Sequence, residues 1–250
     1  MSASIGQCEL THVERSPIDV ALAIAQHSAY EAALTAMGCC VVGLPGAPEF
    51  ADAVFVEDMA VATDEVAIVT RAGAASRRGE SPGVAHALCG FRPVLRIEAP
   101  GTLDGGDVLR IDRDVFVGRS QRTNEDGITQ LRGLLSPFGY RVIAVAIRDC
   151  LHLKSAVTQA GDTIVLIQPA WVDAGAFARY RCIEVAAPEP HASNVLRIGS
   201  SVLMPDCFPH TRARIEAVGI GVVAVDVSEL QKAEGAVTCC SILLEDIGPR

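Results

Sequence analysis

The feature that most constrains this chain is a spacing. Four short runs open with a polar turn and continue as a compact apolar strand: 63–69 (TDEVAIV), 112–117 (DRDVFV), 161–166 (GDTIVL) and 199–204 (GSSVLM). A fifth, 240–244 (CSILL), lacks the turn but keeps the rhythm. The central residues Ala67, Phe116, Val165, Leu203 and Leu243 lie 49, 49, 38 and 40 positions apart. A period of that length is what a strand-and-helix unit repeated about five times produces. The word VLRI, at 94–97, 108–111 and 195–198, adds weight to a repeated build. Periodicity alone fits a propeller and an ordinary α/β sheet equally, and both readings stay open at this point.

Half of the 250 residues are apolar and only 4% are aromatic, so the core is built mainly from Ala, Val, Ile and Leu. A chain of this length supplies one good-sized core. No linker or low-complexity segment divides it, which predicts a single domain over 1–250. Between the strands, Ser16, Pro17 and Gly38 predict a helix with Val20, Ile24, His27, Leu34 and Met37 on its buried stripe. Further helices are expected from Asn124, with Ile128, Leu131 and Leu135 inward, and over 209–218; weaker ones fall at 170–179 and 228–233. The stretch 71–83 reads as one long polar loop.

Several classes are disfavoured. No run of apolar residues is long enough to span a bilayer, and the N-terminus shows no basic region followed by an apolar one. A net charge of −9 argues against binding nucleic-acid phosphates. The expectation is a cytoplasmic protein. Nine cysteines, an odd number without a C-x-x-C pair, point to reduced thiols rather than a disulfide frame or a structural zinc site. Most such thiols are small buried hydrophobes.

Four segments carry chemistry: DAVFVED (52–58), TLDGGDVL (102–109), LHLKS (151–155) and GAVTCCS (235–241). A nucleophilic cysteine needs a base, and the base needs an orienting group; Cys239, His152 and Asp104 supply the three types. Each has an ordinary reading as well, a core thiol or a core imidazole. The carboxylates are harder to dismiss. Asp52, Glu57 and Asp58 flank an apolar strand, and burying them costs several kcal/mol unless a cation or hydrogen bonds compensate. A cationic ligand in a carboxylate-lined pocket is the sharper reading. Asp107, beyond the Gly105-Gly106 pair, is explained more simply as a solvated turn.

Together with TRAGAASRRGE (70–80) and VGRSQRTN (117–124), these segments resemble the dimethylarginine dimethylaminohydrolases, within the guanidino-group-modifying superfamily of arginine deiminases and amidinotransferases. The likeness runs over 52–240, with six motifs in order. It implies the pentein fold, a five-bladed α/β propeller of ββαβ units around a channel. It implies hydrolysis of Nω-methylated L-arginine to L-citrulline and an amine, with no cofactor and no metal. By position, Cys239 matches the nucleophile, His152 the general acid and base, and Asp104 the group that orients it. Asp58 and Glu57 match the guanidinium pocket, Asp52 the contact to the substrate's ammonium group, and Arg77 and Arg122 the clamp on its carboxylate.

Within that resemblance Thr238 precedes the nucleophile, so Cys239 is assigned and Cys240, on the opposite face of an expected strand, is read as packing. Lys154 stands where deiminases carry an acid, which favours the methylarginine branch. The segment 15–27 is shorter than in relatives whose extra residues form a lid, so a wetter or more permissive pocket is expected. Arginine deiminase-like and amidinotransferase activities are the alternatives, and a non-catalytic pentein the reading from another class. The partners expected are a small guanidino molecule, with neither nucleic acid nor membrane; a homodimer is left open.

Overall fold

The computed structural model describes residues 1–245. The chain opens with helix α1 (Val20–Ala36) and then builds four three-stranded sheets. The first comprises β1 (Ala60–Ala62), β2 (Ala67–Val69) and, after α2 (Ser81–Leu88), β3 (Val94–Arg96). The second comprises β4 (Val108–Ile111), β5 (Asp114–Arg119) and, after α3 (Glu125–Leu135), β6 (Arg141–Ala146). Helix α4 (Leu153–Ala156) leads into β7 (Val157–Gly161), β8 (Ile164–Ile167) and β9 (Arg181–Glu184). The fourth sheet holds β10 (Leu196–Ile198), β11 (Ser201–Pro205) and, after α5 (Pro209–Glu216), β12 (Gly221–Val225), followed by α6 (Ser228–Gln231).

Every sheet repeats one plan. Its first two strands form an antiparallel hairpin, and a crossover brings the third parallel to the second. The four polar turns of the sequence are the hairpin turns, and the apolar run after each becomes the central strand, buried on both faces. At the second and fourth turns the tight reversal uses left-handed backbone, at Asp112 (φ 55°) and Gly199 (φ 59°). The VLRI words are not equivalent: one overlaps the third strand β3, the others the first strands β4 and β10.

Helix α3 follows its sequence closely. Asn124 Oδ1 accepts the Gly127 N–H at 2.9 Å, and Ile128, Leu131 and Leu135 are fully buried against Val115, Val117 and Ile68. Helix α5 ends before Gly219, whose φ of 87° suits glycine. Elsewhere the expectations need correction. Asp19, not Ser16, caps α1, its carboxylate accepting the Leu22 N–H at 3.0 Å. The buried face of α1 is Ala23, Gln26, Tyr30 and Leu34, whereas Ile24 is exposed. Only a 3-10 turn, Ala174–Phe177, forms within 170–179. The stretch 71–83 is not one loop: it holds a 3-10 turn, Ala75–Arg77, and the start of α2.

The largest correction concerns the fifth run. Residues 241–245 form no strand, and 237–240 form a turn. The run still joins the architecture, because Ile242, Leu243 and Leu244 line a cavity of about 630 Å³ together with Ala60, Val108, Thr158 and Leu196 of the four first strands. The first strand of every sheet and the irregular run therefore contribute to the lining of one cavity. Among the described residues no helix is long and apolar enough to cross a membrane.

Candidate active site

Six of the eight site residues expected from the sequence line one small cavity, separate from the larger one: Asp52, Asp58, Arg77, Arg122, His152 and Cys239. Its free volume is about 20 Å³. Asp104 lies directly behind His152. Glu57 is turned the other way and lines the 630 Å³ cavity instead.

His152 caps α4 and is surrounded by acids. Its Nε2 is 3.2 Å from Asp104 Oδ2 and its Nδ1 is 3.8 Å from Asp58 Oδ1. The approach depends on Gly106, where a Cβ would lie 2.5 Å from His152 Nδ1 and 2.9 Å from Asp58 Oδ1. Burial alone would push the imidazole pKa down, but Asp58, the bond to Asp104 and the charge of Asp107 raise it to about 9. That direction favours the imidazolium form of the ring. Asp58 is the reciprocal case. Burial disfavours its charge, yet His152, Arg77 and the Gly106 N–H hold its pKa at about 2.

Cys239 sits on the turn, not on a strand, so alternation along a strand does not set its direction. Its thiol accepts the Ala236 N–H at 3.4 Å, and its carbonyl accepts the Glu57 N–H at 3.1 Å. The turn is fixed by Thr238, whose hydroxyl donates to Glu57 Oε2 at 2.7 Å and accepts from Asn194 Nδ2 at 3.0 Å. Lys154 Nζ bonds the other Glu57 oxygen at 2.5 Å. Burial first, then the charges of Glu57 and Asp58, push the Cys239 thiol up to about 12. Cys240 is buried among Tyr30, Leu34 and Val237, away from that cavity.

Arg77 is 4% exposed and its donors are engaged. It bonds Asp58 at 2.5 Å, both oxygens of Glu80, and the carbonyls of Asp52 and Phe55. Arg122 Nη1 is 3.9 Å from Asp104 and its Nη2 donates to Thr11 Oγ1 at 3.0 Å. Asp52 accepts the Glu9 N–H on both oxygens, and burial raises its pKa.

These contacts reveal residues that the sequence reading left out. Glu234, at φ 57° beside Gly235, also lines the cavity. Its carboxylate accepts the N–H groups of Thr11, His12 and Val13 at 2.5–2.9 Å. Residues 9–13 are thus tied to Asp52, Arg122 and Glu234 and form a strap across the site, although no site role was expected before residue 52. Asp107 is a second correction: it is fully buried, not a solvated turn.

A model of the family described as N,N dimethylarginine dimethylhydrolase, eukaryotic, matches residues 11–175. The N(G),N(G)-dimethylarginine dimethylaminohydrolase of Streptomyces coelicolor is 41% identical over 95% of this chain and 92% of its own. The protein of the same name from Pseudomonas aeruginosa is 36% identical over 90% of this chain and 89% of its own. The structure of a cysteine-to-serine mutant of the Pseudomonas aeruginosa enzyme complexed with citrulline superposes with a TM-score of 0.92, at 34% identity, covering 96% of this chain and 95% of that one. The α/β architecture is therefore that of these enzymes, and the chain belongs to the N,N-dimethylarginine dimethylhydrolase family.

Proposed function

We propose that this protein hydrolyses the guanidino group of Nω-methylated L-arginine, giving L-citrulline and methylamine or dimethylamine. One observation carries the reading: Asp58 already holds a guanidinium, that of Arg77, beside His152 and in the cavity that Cys239 lines. A site that binds an internal guanidinium by a charge-assisted bond has the chemistry to bind an external one. The substrate takes Arg77's place on Asp58. Arg77, released, and Arg122 then face the substrate carboxylate, and Asp52 its ammonium group.

The thiol is protonated at rest, so substrate cation beside Cys239 lowers its pKa and the proton leaves to solvent. The thiolate attacks the guanidino carbon. His152, oriented by Asp104, gives its proton to the departing amine, which could not leave as an amide anion. The C–N bond breaks and an S-linked thiouronium remains. Neutral His152 then takes a proton from water as the hydroxide adds to the same carbon. The C–S bond breaks, the thiol recovers a proton and citrulline is released. Glu57, held by Lys154 and Thr238, steadies the Cys239 turn from the far side of the site.

The same reading makes the fold a five-bladed propeller, with the irregular sector of α1 and the C-terminal run as the fifth blade, in one domain over 1–250. Purified protein supplied separately with arginine, monomethylarginine and asymmetric dimethylarginine tests the function, with citrulline and the released amine measured. Amine release from the methylated substrates, well above ammonia release from arginine, is the expected result. Turnover of arginine alone would make it a deiminase, and citrulline from none of the three would remove the reading.

A further inference from the structure

Asp107 lies outside the catalytic roles described above, yet its carboxylate is as fully enclosed as that of Asp104. Its side chain is fully buried, and Gly118 is required beside it: a Cβ there would lie 2.8 Å from Asp107 Oδ1. Oδ1 accepts the N–H of Leu153, the residue after His152, at 3.0 Å. Oδ2 accepts the hydroxyls of Ser120 at 2.5 Å and Thr123 at 2.7 Å. Those hydroxyls are themselves acceptors. Ser120 Oγ takes the N–H groups of Arg122 (3.0 Å) and Thr123 (3.2 Å), and Thr123 Oγ1 takes that of Asp104 (3.2 Å). One carboxylate therefore joins three backbone segments, those of His152, Asp104 and Arg122.

We propose that Asp107 is a positioning residue for the reaction: it sets the imidazole of His152 against Asp104 and Arg122, and its buried negative charge keeps that imidazole protonated for amine departure. The proposal rests on the hydrolase reading above. Asp58 and Asp104 also favour the protonated ring, but only Asp107 joins the three segments. Asp58, from the 3-10 turn Val56–Met59, faces Nδ1 of the ring but is spent on Arg77 and Gly106. Asp104 faces Nε2 and also holds the Gly73 N–H. Arg122 approaches Asp104, Cys150 Sγ sits 3.5 Å from the His152 carbonyl, Lys154 is paired with Glu57, and Cys239 closes the opposite wall. The charge of Asp107 is raised in cost by its own burial, its pKa standing near 6, and the imidazolium is the cation that offsets it.

Substitution by asparagine isolates the effect. Asp107→Asn keeps the shape and one oxygen for Leu153 N–H, but its amide must donate where the carboxylate accepted. Ser120 Oγ, already taking two N–H groups, has no lone pair left for it. The expected outcome is a kcat lower by about 10- to 100-fold with KM within about threefold. In ¹⁵N-histidine-labelled protein, with the His152 signal assigned by its loss in His152→Gln, the titration midpoint falls by about one unit or more relative to wild type. A kcat within twofold of wild type overturns the proposal. So does a lowered kcat with an unmoved His152 titration, since a merely structural role leaves the proton where it was.

Ser120→Ala covers the case in which Asp107→Asn does not fold. It strips one donor from Oδ2 and should lower both kcat and the His152 midpoint in the same direction by less; no change in either overturns the proposal. The titration is read without substrate. If wild-type protein turned over none of the methylated arginines, the hydrolase reading would fail on that result, while the link between Asp107 and the His152 proton would be judged separately by the midpoint.

Discussion

The four regular sheets and the irregular sector hold opposite halves of the candidate site. His152, Asp104 and Asp58 stand at the ends of elements whose strands are paired on a repeated plan. Cys239 stands on a turn with no ladder of its own, fixed by side chains from elsewhere: Asn194 and Glu57 on Thr238, and Tyr30, whose hydroxyl bonds the Val237 carbonyl at 2.9 Å and Ser241 Oγ at 2.7 Å. The two halves share one electrostatic field. Asp58, the first of the carboxylates that raise His152 to about 9, also joins burial and Glu57 in raising Cys239 to about 12. In the proposed reaction the same negative charge makes one group a ready acid and the other a reluctant nucleophile. In that reaction an incoming cation resolves the conflict, which ties nucleophile activation to substrate binding.

The comparison breaks most sharply at the two adjacent thiols. Cys239→Ser is expected to abolish citrulline formation, and Cys240→Ser to leave most of it. Cys239 lines the cavity, whereas Cys240 is packed against α1 in a cluster that includes Tyr30 and Leu34. Steady-state assays of both folded variants decide the matter, and an active Cys239→Ser beside a dead Cys240→Ser would reverse the assignment. On the other half, His152→Gly should bind substrate but lose kcat by several orders of magnitude, because both half-reactions move a proton through it. A near-normal rate at pH 7 would remove His152 from the mechanism.

The uneven regularity also explains what could be read in advance. The hairpins were legible because each polar turn is followed at once by its apolar strand, and α3 because Asn124 and its stripe lie within one segment. The run 240–244 was not, since three successive apolar residues fit a strand as well as a channel-lining irregular stretch. The buried face of α1 turns on Tyr30, whose hydroxyl finds its partners more than 200 residues away. The site motifs named Cys239, His152, Asp104, Asp52, Glu57, Asp58, Arg77 and Arg122 as candidates, but not their pairing. Nothing local shows that Arg77 rests on Asp58, that Glu57 faces the larger cavity, or that Asp107 is sealed by Ser120 and Thr123.

A pH experiment sharpens the electrostatic half of the comparison. The His152 pKa is higher in the folded protein, about 9, than the ordinary 6.5. A raised pKa contributes stability that is fully present below the ordinary value and is lost as pH rises through the folded one. Wild-type protein is therefore expected to lose unfolding free energy between pH 6.5 and pH 9, and His152→Gln to lose less. Urea titrations at the two pH values give the difference. Equal losses in the two proteins would show that the carboxylates do not hold a proton on His152.

The smallest effect belongs to the strap, where binding rather than chemistry is at stake. Residues 9–13 are anchored chiefly by Glu234, whose carboxylate satisfies three consecutive N–H groups, and further by both oxygens of Asp52, by Ser76 on the Glu9 side chain and by Arg122 on Thr11. Hydrogen bonds to a charged group contribute about 1.5–3 kcal/mol each when enclosed, and much less at an exposed edge such as this. Glu234→Gln leaves one oxygen to accept and places an amide against N–H donors, so the strap should loosen without unfolding the protein. A looser strap admits water and weakens the ion pairs that bind substrate, since the same charges attract less at higher dielectric. KM for dimethylarginine should rise about three- to tenfold, with kcat within about twofold, because Cys239 and His152 are held by other elements. The same variant should accept bulkier Nω-substituents than wild type. A fall in kcat at constant KM would instead place Glu234 with the proton-transfer groups, and unchanged kinetics would show that the strap does not cover the bound substrate.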